Sequence, residues 1–68
     1  MFSKNLFKAK AVEKGYDMKQ ISNCLGISVS TLYRKMSGNS DFTRNEIQLL
    51  RQFLSLSMEE IDAIFFAA

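Results

Sequence analysis

Few side chains in this 68-residue chain could do chemistry. There is no histidine, so a general base would have to be a carboxylate or lysine moved far from its ordinary pKa. Glu59, Glu60 and Asp62 lie close together near the C-terminus. At the start of a terminal helix they suit a solvated face that complements the helix dipole. Cys24 is the only cysteine. It can form no intrachain disulfide, has no imidazole to activate it, and reads as a small buried thiol on a helix flank. One thiol without histidine makes no metal site, and three isolated glycines make no phosphate-cradling loop. The expectation is a protein that is not an enzyme and carries neither cofactor nor metal.

What remains is recognition by a surface, and one stretch is suited to it. Asp17 to Gly38 (DMKQISNCLGISVSTLYRKMSG) reads as two short helices joined by a tight turn at Leu25-Gly26-Ile27-Ser28. Asp17 with Gln20 forms a capping box. Ile21 and Leu25 make one apolar stripe, and Gly26 stops the helix as a residue free to take positive φ. The second helix carries Leu32 and Met36 at i and i+4 and ends near Gly38. Helices this short and close must cross steeply and share a core, which is helix-turn-helix geometry.

Helix phase then sorts the second helix into faces. With Leu32 and Met36 inward, Arg34 points almost directly away, flanked by Ser30 and Tyr33 on one side and Thr31 and Lys35 on the other. Val29 lies at the edge of the core stripe, where the first turn projects beyond the domain. Arginine can take guanine bidentately, hydroxyls can serve several bases, and valine can meet a thymine methyl. Such a face suits a DNA major groove.

The charge distribution agrees. Residues 1–40 hold seven Lys or Arg against two acids, net +5, and residues 41–68 hold two against five, net −3, which sum to the +2 of the chain. One half is therefore suited to a polyanion, while so small a total disfavours nonspecific nucleic-acid binding. No apolar run approaches the ~18 residues that span a bilayer, and no signal peptide is evident. A cytosolic protein without a membrane is expected, in keeping with a lone reduced cysteine.

The rest of the chain supplies the support. A first helix over 3–14 has Ser3 as cap and Gly15 as stop, with Leu6, Ala9 and Val12 or Glu13 inward and Phe2 a turn earlier. A membrane-surface helix is the weaker alternative, because its apolar face is thin. Tyr16 serves as a hydrophobic staple, and Phe42 anchors the polar loop 39–42. Thr43 caps a fourth helix with Glu46 in the capping-box position, carrying Ile47, Leu50 and Leu54, widened by Leu49 and Phe53. Ser57 opens a fifth, again with Glu60 three residues on, carrying Ile61, Ile64 and Phe65. Phe66-Ala67-Ala68 extends it or trails away as a tail. The prediction is one domain over 1–68, all-α, with five helices and the helix-turn-helix at about 17–37.

Together these residues resemble the small helix-turn-helix DNA-binding domains of the Cro and phage-repressor type, also called XRE-like or lambda-repressor-like. Leu6, Gly15, Asp17, Ile21, Ser22, Gly26, Ile27, Leu32 and Ser37-Gly38-Asn39 carry the likeness, which spans about Leu6 to Phe65. The run STLYRKMSG followed by DFTRNEI looks most like short regulators of phages and mobile elements in Gram-positive bacteria. The resemblance implies a compact lambda-repressor-like fold and a repressor bound to a double-stranded DNA operator. Carried over by position, it makes Ser28, Val29, Ser30, Tyr33 and Arg34 base-reading residues. It assigns phosphates to Met18, Lys19, Lys35, Asn39, Ser40, Thr43 and Arg44. It also implies a homodimer, for which Ile64, Phe65 and Phe66 are the candidate interface. The chain departs from the pattern in having Met18 where glutamine is common, the acidic Asp17 close to the DNA backbone, Lys10 for an arginine that pairs with an acid, and Met36 one place late. The rival reading is a protein-interaction module of the same fold, an antirepressor or adaptor without specific DNA binding.

Overall fold

Five side-chain caps set where the helices begin. In the structure, a computed structural model that describes residues 1–66, Ser3, Asp17, Ser28, Thr43 and Ser57 each accept a hydrogen bond from the amide three residues on. They open α1 (Lys4–Lys14), α2 (Met18–Leu25), α3 (Val29–Met36), α4 (Arg44–Phe53) and α5 (Met58–Phe65). At Asp17, Thr43 and Ser57 the box is closed reciprocally by Gln20, Glu46 and Glu60. Helices of 8 to 11 residues are marginal alone, so satisfied ends matter here. No described helix is long and apolar enough to cross a membrane.

The stops are equally local. Gly26 takes φ +71, and the Ile27 amide reaches back to the Ser22 carbonyl at 3.0 Å. This closure turns the chain into α3 within three residues. Ser55 does the same work after α4 at φ +52, with the Leu56 amide on the Arg51 carbonyl at 2.9 Å. A left-handed serine carries a steric cost that glycine avoids.

α2 packs on both α3 and α4, and α1 packs on α5. The shared core contains Phe7, Ala11, Ile21, Leu32, Met36, Leu50, Leu54, Leu56, Ile61, Ile64 and Phe65. Ser22, also buried, donates to the Lys19 carbonyl at 2.8 Å, and its small side chain lets α2 sit close to its neighbours. At one end four phenylalanines meet. Phe2 lies 4.9 Å from Phe42, 5.4 Å from Phe7 and 5.5 Å from Phe65, between ring centroids. Phe42 meets Phe65 edge-on at 83°, a favoured aromatic geometry. The Ser3 amide donates to the Ile64 carbonyl at 2.6 Å, tying the start of α1 to the end of α5. At the other end Tyr16 stacks on Phe53 at 4.3 Å.

The structure corrects two readings of the sequence. α1 is turned by one position: Phe7 and Ala11 are fully buried, whereas Leu6 is 49 % and Val12 77 % exposed, and Ala9 and Glu13 are exposed too. The aromatic cluster decides this, because a phenylalanine ring buries more apolar area than leucine and finds three partner rings. The C-terminal interface candidates divide. Ile64 and Phe65 are core residues, 2 % and 7 % exposed, and so are not available to a second subunit; Phe66 is 60 % exposed. Cys24 is half-buried, and burial raises its thiol pKa. Leu49 stays 40 % exposed. The tail at 67–68 lies outside the described residues.

The rotated α1 yields a direct test. Phe7→Ala should lower the unfolding free energy by about 3–5 kcal/mol, and Leu6→Ala by no more than ~0.5 kcal/mol, in urea titrations. The reverse ranking would restore the phase that periodicity alone suggests.

Candidate nucleic-acid interface

The outward face of α3 is set by its inward one. Leu32 and Met36 are 0 % and 4 % exposed, which leaves Ser30, Tyr33 and Arg34 on the open side and Val29 at the rim, 36 % exposed. Arg34 forms no ion pair among the described residues, and its guanidinium is held only by the position of the helix. Ser28 stands at the head of α3 as the N-cap. Its hydroxyl accepts from the Thr31 amide at 3.1 Å and donates to the Thr31 hydroxyl at 3.0 Å. Ser28 therefore fixes the direction of the helix before it could offer a hydrogen bond to a base.

The expected phosphate contacts are more divided. Lys19 is exposed at the second position of α2, where the leading amides have no intrahelical acceptor. Met18 is half-buried and packs against the core, so only its backbone faces outward from the helix end. Asn39 and Ser40 are exposed in the loop after α3, and Arg44 is exposed at the start of α4. Thr43 is the α4 cap, its hydroxyl accepting from the Glu46 amide at 3.1 Å.

Lys35 has a different job from the one its position implies. Its side chain is 10 % exposed, and its ammonium lies 3.1 Å from the Glu46 carboxylate and 2.9 Å from the Asp41 carbonyl, to which it donates. It ties α3 to α4 and to the intervening loop. As a structural tether it holds Arg34 in place, and it is not available as a phosphate grip. No sequence signal marks this pair, because Lys35 and Glu46 are on different helices with no periodic relation.

Lys10 repeats the pattern, joining α1 to Glu60 of α5 and to Glu13 at 3.0 Å. The acid expected to pair with Lys10 is thus a capping-box residue, as is Glu46. Burial pushes the Glu46 carboxyl up, but hydrogen bonds from the Thr43 amide and from Lys35 outweigh it and hold the group below its ordinary range. Lys10, followed by the Ser57 amide, holds Glu60 down at about 2. Glu60, then Glu13, raises the Lys10 ammonium. With these two lysines engaged, the exposed cations near the motif are Lys19, Arg34 and Arg44. Among the described residues no cluster of His, Cys, Asp or Glu could hold a metal ion.

Compared with known proteins, residues 4–62 match the model of the BetR domain, a small helical domain of DNA-binding type. No curated protein and no solved structure matches the chain.

The two paired glutamates predict the pH response. Their folded pKa values lie below the ordinary value of 4.5. Their contribution is therefore complete above pH ~4.5 and is lost as pH falls toward 2. Urea midpoints should drop across that window, and Glu60→Gln, which keeps a capping residue but no charge, should flatten the fall. A midpoint that rises on acidification would exclude both pairs as stabilising contacts.

Proposed function

The chain belongs to the BetR domain family, and we propose that it is a sequence-specific regulator of transcription that binds double-stranded DNA. In this reading it acts as a repressor of the Cro or phage-repressor type, by occupying an operator in the bacterial cytoplasm, and its work is binding rather than catalysis. The observation that carries the reading is α3. It is an eight-residue helix anchored on one side by Leu32 and Met36, entered through the Gly26 turn, and open on the other side at Ser30, Tyr33 and Arg34.

Each part then has a role. Arg34 offers a bidentate donor pair to a guanine edge, Ser30 and Tyr33 offer hydroxyls, and Val29 offers a methyl surface to thymine. Lys19 and Arg44, on the helices either side, meet the phosphates and set the depth of α3 in the groove, as do the polar groups of Asn39 and Ser40. Lys35 keeps α3 seated against Glu46 while this happens. Two copies on a twofold operator would place their α3 helices about one helical turn apart, ~34 Å.

Arg34→Ala should reduce discrimination between the chain's own upstream DNA and random duplex by about 1–3 kcal/mol, measured by fluorescence anisotropy. Lys19→Ala should weaken both alike. With three exposed cations at the interface, the slope of log K against log salt should be about −2 to −3 per subunit. Absence of binding to either duplex at low salt would sink the proposal. Lys35→Ala should act differently again, lowering the urea midpoint because Glu46 loses its partner.

A further inference from the structure

The largest apolar feature outside the α3 face is a groove of about 520 Å³ between α4 and α5. Its α4 wall is the stripe Arg44, Gln48 and Arg51, its floor includes Ile47 and Ile61, and Met58 and Phe66 stand on the α5 side. The lining holds two guanidinium groups and no carboxylate. Arg51 has no ion pair among the described residues. Met58 and Phe66 are 61 % and 60 % exposed, which is costly for side chains of that size on an otherwise closed domain.

The complement to this groove is present on the same molecule. Met58, Asp62 and Phe66 recur at i, i+4 and i+8 on α5, an apolar, acidic, apolar stripe about 12 Å long. Asp62 is exposed and, like Arg51, unpaired among the described residues. The arginine stripe facing it spans ~10 Å. We propose that the groove receives α5 of a second copy of this chain, in a twofold arrangement that places Arg51 of each subunit against Asp62 of the other. Phe66 of each then enters the apolar floor beside Ile47 and Ile61. A twofold axis makes every such contact twice. Arg44, seven positions before Arg51, stays at the end of the groove nearest the 39–43 loop and remains free for phosphate.

The contact is small. A standard interface covers ~800 Å² per partner, nearly a fifth of the 4428 Å² surface of this domain, and one groove and one helix stripe cover less. The free dimer is therefore weak, and DNA carrying two half-sites strengthens it by holding both copies close. The proposal rests on the DNA-binding reading only for that last step.

Sedimentation equilibrium of the full chain without DNA, at up to about 0.5 mM, tests the pairing. The wild-type chain should show a monomer–dimer equilibrium. Arg51→Glu and Asp62→Arg should each weaken it about tenfold or more, and the double variant, in which the charges trade places, should recover most of the loss. Both sites are exposed, so circular dichroism should report unchanged folding. A monomer at all concentrations, or a dimer indifferent to all three variants, would overturn the proposal. DNA binding measured in parallel separates the two readings: specific binding by a chain that stays monomeric overturns the pairing alone, and a charge-dependent dimer that ignores DNA overturns the regulator alone.

Discussion

The ion pair between Lys35 and Glu46 is the contact on which the presentation of α3 depends. An eight-residue helix has too few turns to hold its own direction in water, and its two inward side chains, Leu32 and Met36, fix its rotation better than its tilt. The tilt is set where the Lys35 ammonium reaches both Glu46 and the Asp41 carbonyl. That one group joins the C-terminal half of α3, the loop that follows it, and the first turn of α4. Because Glu46 also closes the Thr43 cap, a single carboxylate finishes one helix and orients another.

The same double use recurs at Glu60, which completes the Ser57 cap and meets Lys10 from α1. In both places a residue that local sequence requires at the third position of a helix is used a second time across the core. Exposed ion pairs contribute little by themselves. Here their value lies in geometry, because the carboxylate is already immobilised by its cap and loses little further freedom when the lysine arrives.

Features governed by near neighbours along the chain are legible in the sequence itself. The five caps, the three capping boxes, the Gly26 turn, the inward pair of α3 and the anchoring role of Phe42 all follow from local residue types and from spacings of three or four residues. What escapes such a reading depends on contacts between distant segments. α1 offers Leu6 and Phe7 as competing inward residues with nearly equal periodic support, and only the assembled rings of Phe2, Phe42 and Phe65 choose Phe7. Lys35 reads as a surface cation because nothing in its own helix marks the acid that takes it. Ile64 and Phe65 read as a free patch because residues that cover them, Phe2 and Phe7 among them, lie at the opposite end of the chain. Ser55, in a left-handed conformation without glycine, carries no composition signal at all.

The engagement of Lys10 and Lys35 inside the fold also shapes how such a domain would select DNA. Counterion release scales with the number of phosphates neutralised, and the excess charge of the N-terminal half overstates what reaches the surface of the motif. With only Lys19, Arg34 and Arg44 facing outward there, one copy gains little from the sequence-independent attraction that all duplexes share. Affinity for an operator must then come in larger part from α3 against base edges and from the joining of two copies. Each of these is lost on a random sequence, the first because the edges do not match and the second because the half-sites are not in register. A weakly charged domain that uses two lysines to hold its helices still therefore gives up overall affinity and gains a larger ratio between right and wrong sites.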